Sequence, residues 1–323
     1  MSSSSPPRPG GDSHVRIVGA FAGVGSGLAK VTVGHGFDTI KTRMQVSPPG
    51  TYHGAMDCLI RTVRHEGVLG LYKGVTPPAV GWSAIDSILL GSLHNYRLFL
   101  MRCGITEAAP LARRQAIAAD ADPKRLTLFG HWLAGLMAGV TSAIVATPIE
   151  MLKVRLMMQR QRAKQDRQFK GPVDCAKQVY SAHGVQGLWR GYVASTLFRT
   201  SFCWMFGSIE VMTRQFSKLE GTKFQMSPGT INFVAGGLSG FPFWFFAMPL
   251  DNLKNRIMTE QLGTPTSRFF PLMRAVVREE GVRGLYKGFW PAILRAGPVN
   301  ASAYFVFTFI MDTFGAENVR GQS

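Results

Sequence analysis

The sequence predicts an all-α membrane protein: six transmembrane helices in three pseudo-symmetric repeats, with three short amphipathic helices on one membrane surface. Three observations carry this. Only 17% of the 323 residues are charged against 46% hydrophobic, well below the roughly 25% charged in a typical soluble domain. The apolar residues gather into six spans. Two short blocks recur three times, always in the same order.

The elements follow in chain order. Segment 1–14 is rich in Ser, Pro and Gly and lacks the apolar core of a secretory signal or the Arg-rich pattern of a transit peptide, so it is expected to be a disordered tail. Apolar spans then lie at approximately 15–35, 75–100, 127–147, 192–212, 228–248 and 289–311, each of about bilayer-crossing length. They define repeats over 15–100, 126–217 and 226–314, joined by loops at 101–125 and 218–225 and followed by a tail at 315–323.

The first block reads GFDTIKTR at Gly36–Arg43, PIEMLKVR at Pro148–Arg155 and PLDNLKNR at Pro249–Arg256, roughly 100 residues apart. The second reads EGVLGLYKG at Glu66–Gly74, HGVQGLWRG at His183–Gly191 and EGVRGLYKG at Glu280–Gly288. Between the blocks, segments 54–65, 171–183 and 267–279 are expected to be amphipathic helices. In the first of them Met56, Leu59, Ile60 and Val63 recur at helical spacing against Arg61, Arg64 and His65. Glycines four apart in the odd spans (Gly19, Gly23 and Gly27; Gly135 and Gly139; Gly236 and Gly240) are expected to let neighbouring backbones approach.

The formal net charge of +17 seeks phosphate somewhere. The basic residues cluster in connectors beside apolar spans, which fits lipid headgroups better than nucleic acid. Four cysteines without metal-like spacing predict neither a disulfide scaffold nor a metal site. The seven histidines form no catalytic constellation, so no enzyme is expected. Ionisable residues inside even spans are functional candidates because an unpaired charge in lipid is costly. They are Asp86, Arg199 and Arg295. Lys30 and His35 in the first span are read either as cavity groups or as packing residues.

The two blocks together resemble the mitochondrial carrier pattern, and the resemblance covers roughly residues 15–315. It implies three interhelical ion pairs closing the matrix side: Asp38 with Lys153, Glu150 with Lys254 and Asp251 with Lys41, with Gln45 as a brace. Met157 and Met258 stand where the other braces would be, and Gly36 replaces the first proline, so a weak matrix gate is expected. The aromatic–acid–x–x–base motif of the cytoplasmic side is largely missing; Arg97 and Glu210 remain.

The resemblance also implies cardiolipin at Gly54, Gly74, Gly171, Gly191 and Gly288, with the third partner motif, at Phe269–Pro271, departing from the pattern. Substrate contact points fall at Gly81 and Trp82, at Arg199 and Thr200, and at Arg295. Arg followed by a neutral polar residue resembles carriers of keto acids and carboxylates, whereas Gly81 and the Gly34–Thr39 run resemble the carnitine/acylcarnitine and ornithine branch. The expectation is a monomeric multi-pass protein of the mitochondrial inner membrane, without cofactor or metal, moving a small carboxylate-bearing metabolite by alternating access. The alternatives are a zwitterion such as an acylcarnitine or amino acid, or a non-transporting carrier-like adaptor.

Overall fold

The computed structural model describes residues 11–108, 124–159, 168–219, 228–261 and 264–314. One helical module is built three times. In the first, α1 (Gly11–Val46) leads through a turn to α2 (Ala55–Glu66), a single 3-10 turn at Val68–Tyr72 and α3 (Thr76–Arg102). The second comprises α4 (Leu128–Met158), α5 (Pro172–His183), a 3-10 turn at Val185–Trp189, α6 (Tyr192–Thr200) and α7 (Phe202–Ser217). The third comprises α8 (Pro228–Leu238), α9 (Gly240–Thr259), α10 (Phe269–Leu285), α11 (Phe289–Leu294) and α12 (Ala296–Thr313).

Local chemistry sets the starts. Prolines, which lack the N–H that a first turn leaves unpaired, open α3 and α5, and the Thr127 hydroxyl accepts from Gly130 N to cap α4. The odd helices outrun the predicted spans: α1, α4 and α9 continue through the charged blocks, with Pro148 and Pro249 inside the helix. Those charges meet counter-charges on neighbouring helices, so their helical ends need not dissolve into solvent. Spans four, five and six are each broken in two, at Ser201, Ser239 and Arg295. Among the described residues α4 alone is long and apolar enough to cross a bilayer by composition.

The modules close into a ring. α3 packs on α4, α4 on α6 and α7, α7 on α8, and α12 returns to α1. α1, α4 and α9 also touch one another, which brings their charged blocks together. Large apolar side chains such as Phe21, Phe129, Trp290 and Phe305 stand about two-thirds exposed, the surface expected of a helix ring that faces lipid rather than water.

Two expectations change. The glycine rule holds on α4, where a Cβ on Gly135 would lie 3.0 Å from Phe202 O and one on Gly139 2.1 Å from Arg199 O. On α1, α8 and α9 it does not: Gly23, Gly27, Gly236 and Gly240 face open space, and on α1 Gly25 and Gly34 make the close contacts, with Ile310 and Arg295. Periodicity finds a face but not which face turns inward. The linker predicted as loop over 101–125 carries an antiparallel pair, β1 (Thr106–Ala108) on β2 (Lys124–Leu126), with Glu107 opposite Arg125; three-residue strands are too short to show a period. Residues 109–123 of that linker lie outside the described residues, as do 220–225, 315–323 and 1–10 of the predicted tail; residues 11–14 of the segment read as tail are helical and belong to α1.

Candidate functional site

The first blocks put one acid and, three residues later, one lysine at the converging ends of α1, α4 and α9. Lys153 Nζ lies 2.6 Å from Asp38 Oδ2, Lys254 Nζ 3.1 Å from Glu150 Oε2, and Lys41 Nζ 2.7 Å from Asp251 Oδ2. Each pair joins two repeats, and together they form a closed cycle. Lys254 also reaches Asp251 on its own helix at 3.0 Å. Gln45 donates to Asp251 Oδ2 at 3.0 Å and accepts from Asn255 at 2.6 Å, so the brace is a two-residue amide relay. α1 runs unbroken through Gly36.

Each lysine of the cycle also sits over an aromatic ring: Lys41 over Trp244 at 4.4 Å, Lys153 over Trp82 at 5.1 Å and Lys254 over Phe198 at 4.1 Å. An ammonium over a π-face in a water-poor site gains about 2 kcal/mol or more. Sequence reasoning missed this role, although Trp82 is one of the even-helix contact points and Phe198 immediately precedes another, Arg199.

Arg199 and Arg295 do not stand free in a cavity. Arg199 is buried, donates to Ser142 Oγ at 3.0 Å and pairs with Glu150 Oε1 at 2.6 Å. Arg295 lies 3.3 Å from Asp38 Oδ1 and 5.5 Å from the Trp82 ring centre. The cluster therefore sets five cations (Lys41, Lys153, Lys254, Arg199, Arg295) against three carboxylates. Two positive charges are left over at the narrow end of the ring.

The other contact-point residues fall nearby. Gly81 packs so closely that an added Cβ would meet Ile149 at 2.7 Å, and the Thr200 hydroxyl donates to Leu197 O at 2.6 Å. Asp86 is exposed, has no ion pair within 4 Å among the described residues, and feels the charges of Lys30 and Arg199. His35 is a packing residue: fully buried, with Nε2 donating to Lys73 O at 3.0 Å and its ring stacked on Tyr72.

The second blocks build clasps that sequence reasoning left out. Glu66, buried at the end of α2, pairs with Arg43 and, at 2.5 Å, with Lys73. Burial opposes ionisation of Glu66, but these two cations outweigh it and hold the carboxyl below its usual range. In the third repeat Glu280 receives Arg256 at 2.9 Å and Lys287 at 2.6 Å. The signal was present in the acid that opens two of the three second blocks.

The glycines closing these blocks have left-handed backbones: φ is +77° at Gly74, +84° at Gly191 and +85° at Gly288. Each also abuts the next odd helix; a Cβ at Gly74 would lie 2.7 Å from Lys153 O and one at Gly288 2.9 Å from Lys41 Cγ. Gly54 and Gly171 precede α2 and α5 in extended conformation. Grooves open at two repeat boundaries. One of about 620 Å³ joins Arg190 and Gly191 to Ser267, Arg268 and Phe269; the other, about 360 Å³, joins Tyr52, His53 and Gly54 to Lys287. The larger lies at the boundary whose motif departs from the pattern, where Arg268 supplies a cation the motif does not specify.

The family described as mitochondrial carrier protein matches residues 15–103, 124–220 and 226–318. Similar proteins include protein dif-1 of Caenorhabditis elegans, 34% identical over 92% of each chain, and the mitochondrial basic amino acids transporter of Bos taurus, 32% identical over 93% of each. The mitochondrial carnitine/acylcarnitine carrier protein of Mus musculus is 30% identical over 90% of this chain and 92% of its own.

Proposed function

The chain belongs to the mitochondrial carrier family, and from that membership we propose that it moves a small carboxylate-bearing metabolite across the mitochondrial inner membrane by alternating access. The observation that carries the substrate class is the excess of cations in the ring: Arg199 and Arg295 are additional to the three cyclic pairs. In a low-dielectric site two unneutralised charges attract an anion strongly. Arginine is suited to the task because it stays ionised and offers a planar fork to a carboxylate.

Binding and opening are coupled in this reading. A substrate carboxylate taking Arg199 or Arg295 competes with Glu150 or Asp38, the carboxylates that also hold Lys254 and Lys153. Loosening those pairs frees repeats to rock about a central site, the general scheme for transporters built from repeats. The six spans cross the membrane, and the three amphipathic helices lie on the matrix surface. The protein works as a monomer, with cardiolipin phosphates at the grooves beside Gly54, Gly191 and Lys287, where helix starts and cations coincide.

A second reading rests on Asp86. An exposed carboxylate that feels the charges of Lys30 and Arg199 places a negative group beside the cation-rich cluster, which suits a zwitterion such as an acylcarnitine or amino acid. A thermal-shift screen of detergent-purified protein against keto acids, dicarboxylates, carnitine esters and amino acids separates the two. Ligand that binds the folded state raises its apparent stability with concentration. A shift with carboxylates that survives Asp86→Asn supports the first reading, and one confined to zwitterions and lost in that variant supports the second. If nothing shifts a folded protein, the proposal loses its footing.

A further inference from the structure

The three repeats build the same clasp from two basic residues and one acid, but the middle repeat lacks the acid. Repeat one uses Arg43, Lys73 and Glu66; repeat three uses Arg256, Lys287 and Glu280. In repeat two the matching positions hold Arg155, Arg190 and, in place of the acid, His183. Arg190 Nη1 donates to His183 Nε2 at 3.2 Å, a contact that supplies no negative charge. Both arginines are about 95% buried, and a buried cation left without a counter-charge costs several kcal/mol.

We infer that Glu260, at the end of α9 in repeat three, is the displaced acid of the repeat-two clasp. Its carboxylate lies 2.7 Å from Arg190 Nη2, and its backbone carbonyl accepts from Arg155 Nη2 at 3.0 Å. The symmetric position at the end of α4 is Gln159, whose side-chain amide bonds the backbone of Phe169 on the way into α5. Glu260 retains that local duty, accepting from Ser267 N at 3.2 Å ahead of α10, and adds the charge that position 183 lacks. Arg190 is tied further to the same connector through Gln261 O, Thr264 Oγ1 and Pro265 O.

The consequence is an asymmetry. In repeats one and three the carboxylate sits on the repeat's own amphipathic helix. In repeat two it belongs to the next repeat, so there the clasp itself crosses the seam between repeats two and three as an ion pair, in addition to the Lys254–Glu150 pair of the cycle, whereas the clasp of repeat one reaches the next repeat only through carbonyls of Met157 and Gln159. Glu260 is a positioning residue for α6, on which Arg199 is carried, and the inference does not depend on the substrate.

Moving the charge tests it. Full-length protein in detergent is compared as wild type, Glu260→Gln, His183→Glu and the double variant. Glu260→Gln is expected to lower the melting temperature by roughly 5 °C or more, and the added His183→Glu to restore most of that loss, because a carboxylate then stands where the other repeats have theirs. If Glu260→Gln yields no folded protein, recovery in the double variant supports the inference. An unchanged melting temperature in Glu260→Gln, or a double variant no better than the single, overturns it.

Discussion

Arg199 Nη2 and Lys254 Nζ reach the two oxygens of one carboxylate, Glu150, at 2.6 and 3.1 Å. One arm comes from α6 and the other from α9, so Glu150 joins the proposed substrate contact to the cycle that closes the ring. Asp38 does the same for Arg295 and Lys153.

Removing the first arm is therefore expected to affect transport more than folding. Arg199→Ala leaves Glu150 paired with Lys254 and is predicted to cut the initial uptake rate at least tenfold, on the order of 2–5 kcal/mol for a lost buried charge partner. Arg199→Lys keeps the charge but loses the fork that serves Ser142 and Glu150 together, and should recover only part of the rate. Initial rates in proteoliposomes decide this.

The brace is separable from the cycle. Gln45→Met copies the residue at the equivalent places in the other repeats, Met157 and Met258, and removes a hydrogen bond to an ionised acid, at a cost on the order of 1–2 kcal/mol. A lower melting temperature with substrate affinity retained is the expected result. Loss of affinity without loss of stability would show that Gln45 acts on the substrate directly.

Close helix contact gives a paired prediction. Gly139→Ala forces a methyl against Arg199 O and is expected to cost roughly 1–3 kcal/mol through overpacking. Gly27→Ala, with open space around it, is expected to be neutral or to stabilise by up to about 1 kcal/mol through helix propensity. Thermal unfolding of the two variants should differ in sign or clearly in size.

The fold class was legible because repetition multiplies weak signals: three copies of two blocks pointed to three modules, and the resemblance those blocks carry implied the three pairs that the structure brings together. The partners of Arg199 and Arg295 were not legible. A basic residue in a span announces that it must be neutralised, but whether Glu150, Asp86 or a ligand does so depends on helix rotation, which spacing does not encode. The same blindness hid Trp244 above Lys41, and Glu260, whose role depends on an absence in a different repeat.

Acid sensitivity follows from Glu66. Its folded carboxyl titrates below the ordinary value of 4.5, held down by Arg43 and Lys73 against burial. The stabilisation is thus complete above that value and is lost as pH falls through the lower, folded-state value. Melting temperature is predicted to decline more steeply below about pH 4.5 in wild type than in Glu66→Gln, which starts lower. Identical acid limbs would contradict the role of the clasp.

Thiol accessibility provides a check on burial outside the site. Burial pushes the Cys175 thiol up to about 12 and Cys58 is fully buried, whereas Cys103 is exposed. Maleimide labelling at neutral pH should therefore modify Cys103 first and spare Cys58 and Cys175 until the protein unfolds.

The most direct test of the central claim is uptake of labelled carboxylates into proteoliposomes carrying the purified protein, beside Arg199→Ala and Arg295→Ala proteins reconstituted to the same level. The account predicts saturable uptake of at least one small carboxylate, reduced tenfold or more in each variant. A folded, reconstituted protein that moves no carboxylate, or that moves one equally well without both arginines, would contradict it.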